Sequence, residues 1–182
     1  MMEMTEVERT LLAEQLDWYR LQRHDFLNHW QVVMGYIQLK QNDKALEYMR
    51  EAWQGLAAEQ EAGQIRQPML AAILLGLIVQ FHQNKAEVEL TIPAEMHQEN
   101  YWHELWREEY VPVFYGYTKE CLRDFSLHME KRKNIYVEIE LSSVGLGFTC
   151  QVMLYAGQED DPNGEAELLV KKIISLPNAG DD

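Results

Sequence analysis

Arg20-Leu21-Gln22-Arg23-His24-Asp25-Phe26-Leu27-Asn28-His29-Trp30-Gln31 lies inside a longer run, residues 5–40, that contains no proline and a single glycine, Gly35. Apolar residues recur through it at three- and four-residue steps, which predicts one long helix. At about 100° per residue, His24, Asn28, Gln31 and Gly35 share one polar stripe. Leu12, Leu16, Tyr19, Trp30, Met34 and Ile37 form a second stripe, roughly 120° around the same barrel. The histidine therefore stands on the flank of the apolar seam. Gly35 costs about 1 kcal/mol relative to alanine inside a helix, but it leaves bare backbone that another surface can approach. The polar stripe reads as a docking face.

Working outward, Gln41-Asn42-Asp43 is a tight polar turn with Asp43 placed as an N-cap, and a second helix is expected over residues 44–62. Its apolar stripe is Leu46, Met49, Trp53 and Leu56. So short a connection makes the two helices antiparallel neighbours. A two-helix hairpin buries one side of each helix only, and the rest must be covered by the C-terminal part or by a second hairpin, pairing with a second hairpin being the simple solution. The expectation is a homodimeric four-helix bundle carrying two copies of the His24 stripe on its flanks.

Gly63-Gln64-Ile65-Arg66-Gln67-Pro68 marks a change of composition and is read as the domain boundary, with a hairpin domain at 1–63 and a second domain at 68–182. Residues 69–82 are apolar nearly all round, as in a helix packed inside a domain. Glu87 to Ile92 alternates polar and apolar like a half-buried strand stopped by Pro93. Residues 96–128 read as mainly helical, with a kink or break at Pro112 and a set of aromatic residues, Trp102, Trp106, Tyr110, Phe114, Tyr117 and Phe125, most of them assigned to the core. Two strand-like runs, 135–141 and 148–155, form a hairpin; an acidic loop follows at 158–165, then a last strand at 168–176 and a loose tail. The fold class is α+β, the second domain being an α/β sandwich with helices on one face of a mixed sheet.

The composition excludes several classes. A chain of 182 residues, 47% hydrophobic, builds real cores and is not disordered as a whole. A net charge of -14 opposes binding to nucleic acid or an anionic membrane, both of which need a surplus of Lys and Arg, and points to protein partners. Cys121 and Cys150 lack metal-type spacing and read as small buried hydrophobes in a reduced compartment. Met1 to Arg9 is acidic with no apolar centre, and the longest apolar run is far shorter than a bilayer span, so a cytoplasmic location is expected.

An imidazole on an exposed helix flank is a competent nucleophile toward phosphorus, because phosphoryl transfer asks mostly for alignment and charge neutralisation. Arg20 and Arg23 are the candidates to steady phosphate oxygens, although Arg23 points toward the apolar stripe, and Asp25 is the candidate to orient the ring or take its proton. Spacing alone does not separate this from an ordinary surface histidine. His29 is the rival, but it falls on the opposite flank of the apolar stripe, five residues on, where it cannot share a metal with His24. His103-Glu104 begins like a zinc-protease helix, yet Arg107 stands where the second histidine belongs, so no metal site is expected.

The residues Arg23-His24-Asp25-Phe26-Leu27-Asn28-His29, then Gln31-Val32 and Gly35-Tyr36-Ile37-Gln38-Leu39, resemble the phosphoacceptor helix of the sporulation initiation phosphotransferase B family and of the related citrate- and dicarboxylate-type sensor histidine kinases. By motif the resemblance covers that helix; by layout it extends over most of the chain. It implies that His24 is the phosphorylated residue and that the hairpin dimerises. It also implies a relay in which an aspartyl phosphate on one response-regulator receiver passes to His24 and then to a second receiver. No cofactor would be bound by this chain, the magnesium ion coming with the receiver, and Asn28, Gln31 and Gly35 would belong to the docking surface.

Two other readings compete. An ATP-dependent histidine kinase needs an asparagine-bearing helix and an Asp-x-Gly-x-Gly loop, but residues 110–127 hold no asparagine and Gly145-Leu146-Gly147 lacks the aspartate and reads as a hairpin turn. The second domain is therefore expected to be a degenerate kinase-like domain without nucleotide, packing against the bundle and shaping the partner surface. A non-catalytic dimeric adaptor for a response regulator would have no need of His24.

Overall fold

In the computed structural model, residues 5–130, 132, 134–145, 147–157 and 166–176 are described, Glu104 by its backbone only. The chain divides into two compact units, 1–57 and 58–182. The expected acidic loop at 158–165 and the tail from 177 lie outside the described residues.

The first unit is built on α1 (Glu6–Gln38) and α2 (Asn42–Gln54). A capping box starts α1: the Glu8 backbone N–H donates to Thr5 Oγ1 at 3.3 Å and the Thr5 N–H donates to Glu8 Oε2 at 2.6 Å. Lys40, at φ 55°, turns the chain out of the helix. The two helices pack through Val33 of α1 and Ala45 of α2, both buried.

Two local expectations change here. The N-cap of α2 is Gln41 rather than Asp43, and it makes no side-chain capping bond; Asp43 sits in the first turn, where its charge favours the helix N-terminus. The helix expected over 44–62 is two helices, because α2 stops at Gln54, Gly55-Leu56 make a turn, and α3 (Ala57–Ala62) begins anew. Glycine is the weakest non-proline helix former, so the break falls where interruption costs least. The units divide just past this turn, ahead of the Gly63–Pro68 composition change.

In the second unit, α4 (Pro68–Gln83) starts with its proline in the first turn, and Gln67 caps it by accepting from the N–H groups of Met69 at 2.6 Å and Leu70 at 3.1 Å. Strand β1 (Glu87–Thr91) follows, then a 3-10 turn (Ala94–His97), α5 (Glu99–Leu105) and α6 (Tyr110–Met129). The helical break falls at 106–109, not at Pro112. Pro112 is the third residue of α6, where a backbone N–H would have no partner inside the helix, so its ring costs nothing there.

Strands β2 (Ile135–Val144), β3 (Gly147–Ala156) and β4 (Glu167–Leu176) complete a mixed sheet in the order β1-β2-β3-β4, with β1 parallel to β2 and the other pairs antiparallel. Val144 pairs with Gly147, and Gly145 at φ 56° makes the tight turn, the conformation two-residue hairpins require. Along β2 burial alternates residue by residue, so Val137, Ile139 and Leu141 line the core with Cys150, Val152 and Leu154 of β3. Helices α4 and α6 pack on each other, α4 against β1 and α6 against β4. Phe81 and Phe125 stack between them with centroids 5.8 Å apart. Tyr117, reaching from α6, donates its hydroxyl to the backbone carbonyls of Cys150 at 3.1 Å and Lys172 at 2.9 Å and so ties β3 and β4 to the helix layer. Trp102, Tyr110, Phe114, Tyr117 and Phe125 are all buried, while Trp106 is half-buried. Among the described residues, no helix is long and apolar enough to cross a membrane.

Candidate functional site

At about 100° per residue, the surface of α1 divides into three faces. Val33 and His29 lie on the face that meets α2. Leu12, Leu16, Tyr19, Trp30, Met34 and Ile37, the stripe expected to form the seam, are all exposed instead, as are Leu46, Met49, Trp53 and Leu56 on the hairpin's second arm. Trp30 keeps 50% and Trp53 69% of its surface in water. The hairpin thus uses one apolar face and leaves a second exposed, and a contiguous exposed apolar row is a feature of interaction surfaces. On the side of the helix away from both lies the polar face with Arg20, His24, Asn28, Gln31 and Gly35.

His24 projects from that face with 72% of its side chain exposed. Its Nδ1 lies 3.3 Å from Asp25 Oδ1 and 3.2 Å from Asn28 Nδ2. Asn28 is one helical turn further on, and i,i+4 neighbours meet on a helix surface. As placed, the Asn28 amide N–H serves an unprotonated Nδ1; with its amide turned over, the carbonyl oxygen accepts from Nδ1–H, as the Asp25 carboxylate does. In that second arrangement the proton is held at Nδ1 and the lone pair belongs to Nε2. No polar side chain among the described residues is placed on Nε2 by a hydrogen bond, so the far edge of the ring faces outward.

The structure separates the remaining predicted residues. Arg20 pairs with Asp17 at 2.7 Å, on the side away from His24, so its guanidinium is engaged one turn earlier. Arg23 and Gln31 are exposed. Gly35 is half-buried, and a Cβ built there meets nothing within 4 Å, so its bare backbone does face open space. His29 has a different neighbourhood: its Nδ1 lies 2.8 Å from the Tyr48 hydroxyl on α2, with the rings 5.6 Å apart. Tyr36 also approaches Tyr48, at 6.3 Å between centroids.

Two relationships escaped the sequence. The Asn28 contact with His24 had a signal, the i,i+4 spacing, but Asn28 was assigned to docking alone. Tyr48 had none, because its partner is 19 residues away across a turn. His103 is exposed near the end of α5, and among the described residues no three His, Cys, Asp or Glu side chains gather as a metal-binding group.

Residues 3–65 match the family model described as the sensor kinase SpoOB-type, alpha-helical domain. The protein is thus SpoOB-like over its N-terminal helical part, a similarity that suggests a relation to the histidine-kinase and phosphorelay proteins of two-component systems. The match ends before α4, so the α/β part lies outside it. No curated protein matches the chain.

Proposed function

We propose that the protein is a cytoplasmic phosphorelay phosphotransferase in which His24 accepts a phosphoryl group from the aspartate of one response-regulator receiver and delivers it to a second, in a process such as sporulation initiation. The observation that carries the reading is His24 itself: an exposed imidazole on a SpoOB-type helix, held through one ring nitrogen with the other turned outward.

In the transfer, the Nε2 lone pair attacks the phosphorus of the aspartyl phosphate and the acyl P–O bond breaks, leaving a carboxylate on the receiver. The proton at Nδ1 stays, and Asp25 faces the positive charge that develops on the ring. The second receiver's aspartate then attacks phosphorus, and the N–P bond breaks. The magnesium ion that neutralises phosphoryl charge belongs to the receiver. Docking falls to the polar face, where Asn28, Gln31 and the open backbone at Gly35 flank the ring. Arg23 remains a candidate to meet phosphate oxygens; Arg20 would first have to leave Asp17.

The uncovered apolar rows on α1 and α2 support a homodimer in which a second hairpin covers them and completes a four-helix bundle. The α/β unit is read as a kinase-like domain without nucleotide. The test is transfer from a prephosphorylated receiver to wild type and to His24→Ala, with ATP as a parallel donor. Label on wild type from the receiver, absent in the mutant and absent with ATP, supports the relay; label from ATP makes the protein a kinase, and no label from either donor leaves the adaptor.

A further inference from the structure

The hydrogen bond between His29 and Tyr48 is the polar link between the two helices of the hairpin that lies nearest the phosphoacceptor. His29 is five residues past His24 on α1, and its Nδ1 meets the Tyr48 hydroxyl at 2.8 Å. The neighbouring helix contact, Val33 against α2, is apolar, and Ala45 offers only a methyl group. Apolar contacts of this kind tolerate sliding and rotation; a hydrogen bond between two ring side chains does not, because its strength falls steeply with distance and angle. At about 100° per residue, His29 and His24 stand about 140° apart around α1, so the contact that holds His29 against Tyr48 of α2 turns the His24 stripe to the side of α1 away from α2.

We infer that His29 and Tyr48 are positioning residues for the phosphoryl transfer: their hydrogen bond fixes the rotation of α1 against α2, so that the His24 stripe is held facing outward, toward the receiver. The inference rests on the relay reading of His24. Neither residue touches the reacting atoms. Their effect is on recognition of a protein donor, and a small donor that needs no docking surface is indifferent to it.

The experiment compares wild type with Tyr48→Phe, which keeps the ring against Tyr36 and removes only the hydroxyl, with His29→Leu, and with His29→Asn, whose amide oxygen stands near the place of Nδ1. Each is labelled at His24 by phosphoramidate and, separately, by a phosphorylated receiver domain that labels wild type. Tyr48→Phe and His29→Leu are expected to raise the KM for the receiver about threefold to tenfold, the range one hydrogen bond supplies. Labelling by phosphoramidate stays within about twofold, again inside what a single hydrogen bond would move, and His29→Asn recovers most of the receiver KM. An unchanged receiver KM in both disruptive variants overturns the inference, as does an equal loss with both donors, which would make the pair merely structural. Wild type that takes label from phosphoramidate but from no receiver overturns the relay reading and this inference with it.

Discussion

Asn28 lies 3.2 Å from His24 Nδ1, one turn further along the same helix, and shares that nitrogen with Asp25 at 3.3 Å. Both partners are on the side of the ring away from Nε2, so one edge of the imidazole is held and the other is presented. For an exposed side chain on an exposed helix face, this gives the ring a preferred orientation with Nε2 outward.

Asn28→Ala should slow transfer to His24 by up to about tenfold, the worth of one hydrogen bond of about 0.5–1.5 kcal/mol, without altering helix content. Single-turnover labelling with circular dichroism as a control checks it; a rate equal to wild type would show that Asn28 acts in docking only or not at all.

Trp30→Glu places a charge on the uncovered apolar face of α1, half of whose tryptophan surface now meets water. If a second hairpin covers that face, sedimentation equilibrium at micromolar concentration should show dimer for wild type and monomer for the variant. A wild type that sediments as a monomer would remove the four-helix bundle from the account.

Phe125→Ala should destabilise the α/β unit by about 3–5 kcal/mol, as truncation of a fully buried phenylalanine does, since Phe125 has no exposed surface and stacks on Phe81. Urea unfolding followed by tryptophan fluorescence reports it. A loss under about 1 kcal/mol would mean that the layer between α4 and α6 collapses around the gap.

Burial pushes the Cys121 thiol up to about 12 and raises Cys150 as well. The folded protein keeps these protons well above pH 9, near which the unfolded chain releases them, so the unfolded state binds fewer protons there and stability falls as pH rises from about 9 toward 12. Neither thiol should react with a disulfide reagent in the native protein at pH 8, and both should react in guanidinium. Rapid reaction of either thiol in the native state would contradict the burial of α6 against β3.

The sequence was most informative where structure is local. A proline-free run of three- and four-residue spacing reads as a long helix, and the β-like runs 135–141 and 148–155 around a glycine turn read as a hairpin, as the structure has them. The second helix was over-extended because its apolar stripe continues through Leu56 in phase, and periodicity registers no interruption when a turn preserves it. Pro112 reads as a kink or break because a proline looks the same in the first turn of a helix as in its middle; only the position of the helix start tells them apart.

At the candidate site the same division holds. Local pattern alone established that His24, Asn28, Gln31 and Gly35 share a face, because helix geometry makes that an arithmetic consequence of their numbers, and the motif around His24 pointed to phosphoryl chemistry. Tertiary structure decided which apolar face of α1 meets α2 and which stays open, that Arg20 turns to Asp17, and that His29 meets Tyr48. Those outcomes depend on which of several near-equivalent surfaces packs best and on where side chains distant in sequence arrive. Periodicity fixes angles about a helix axis and carries no information about what stands opposite.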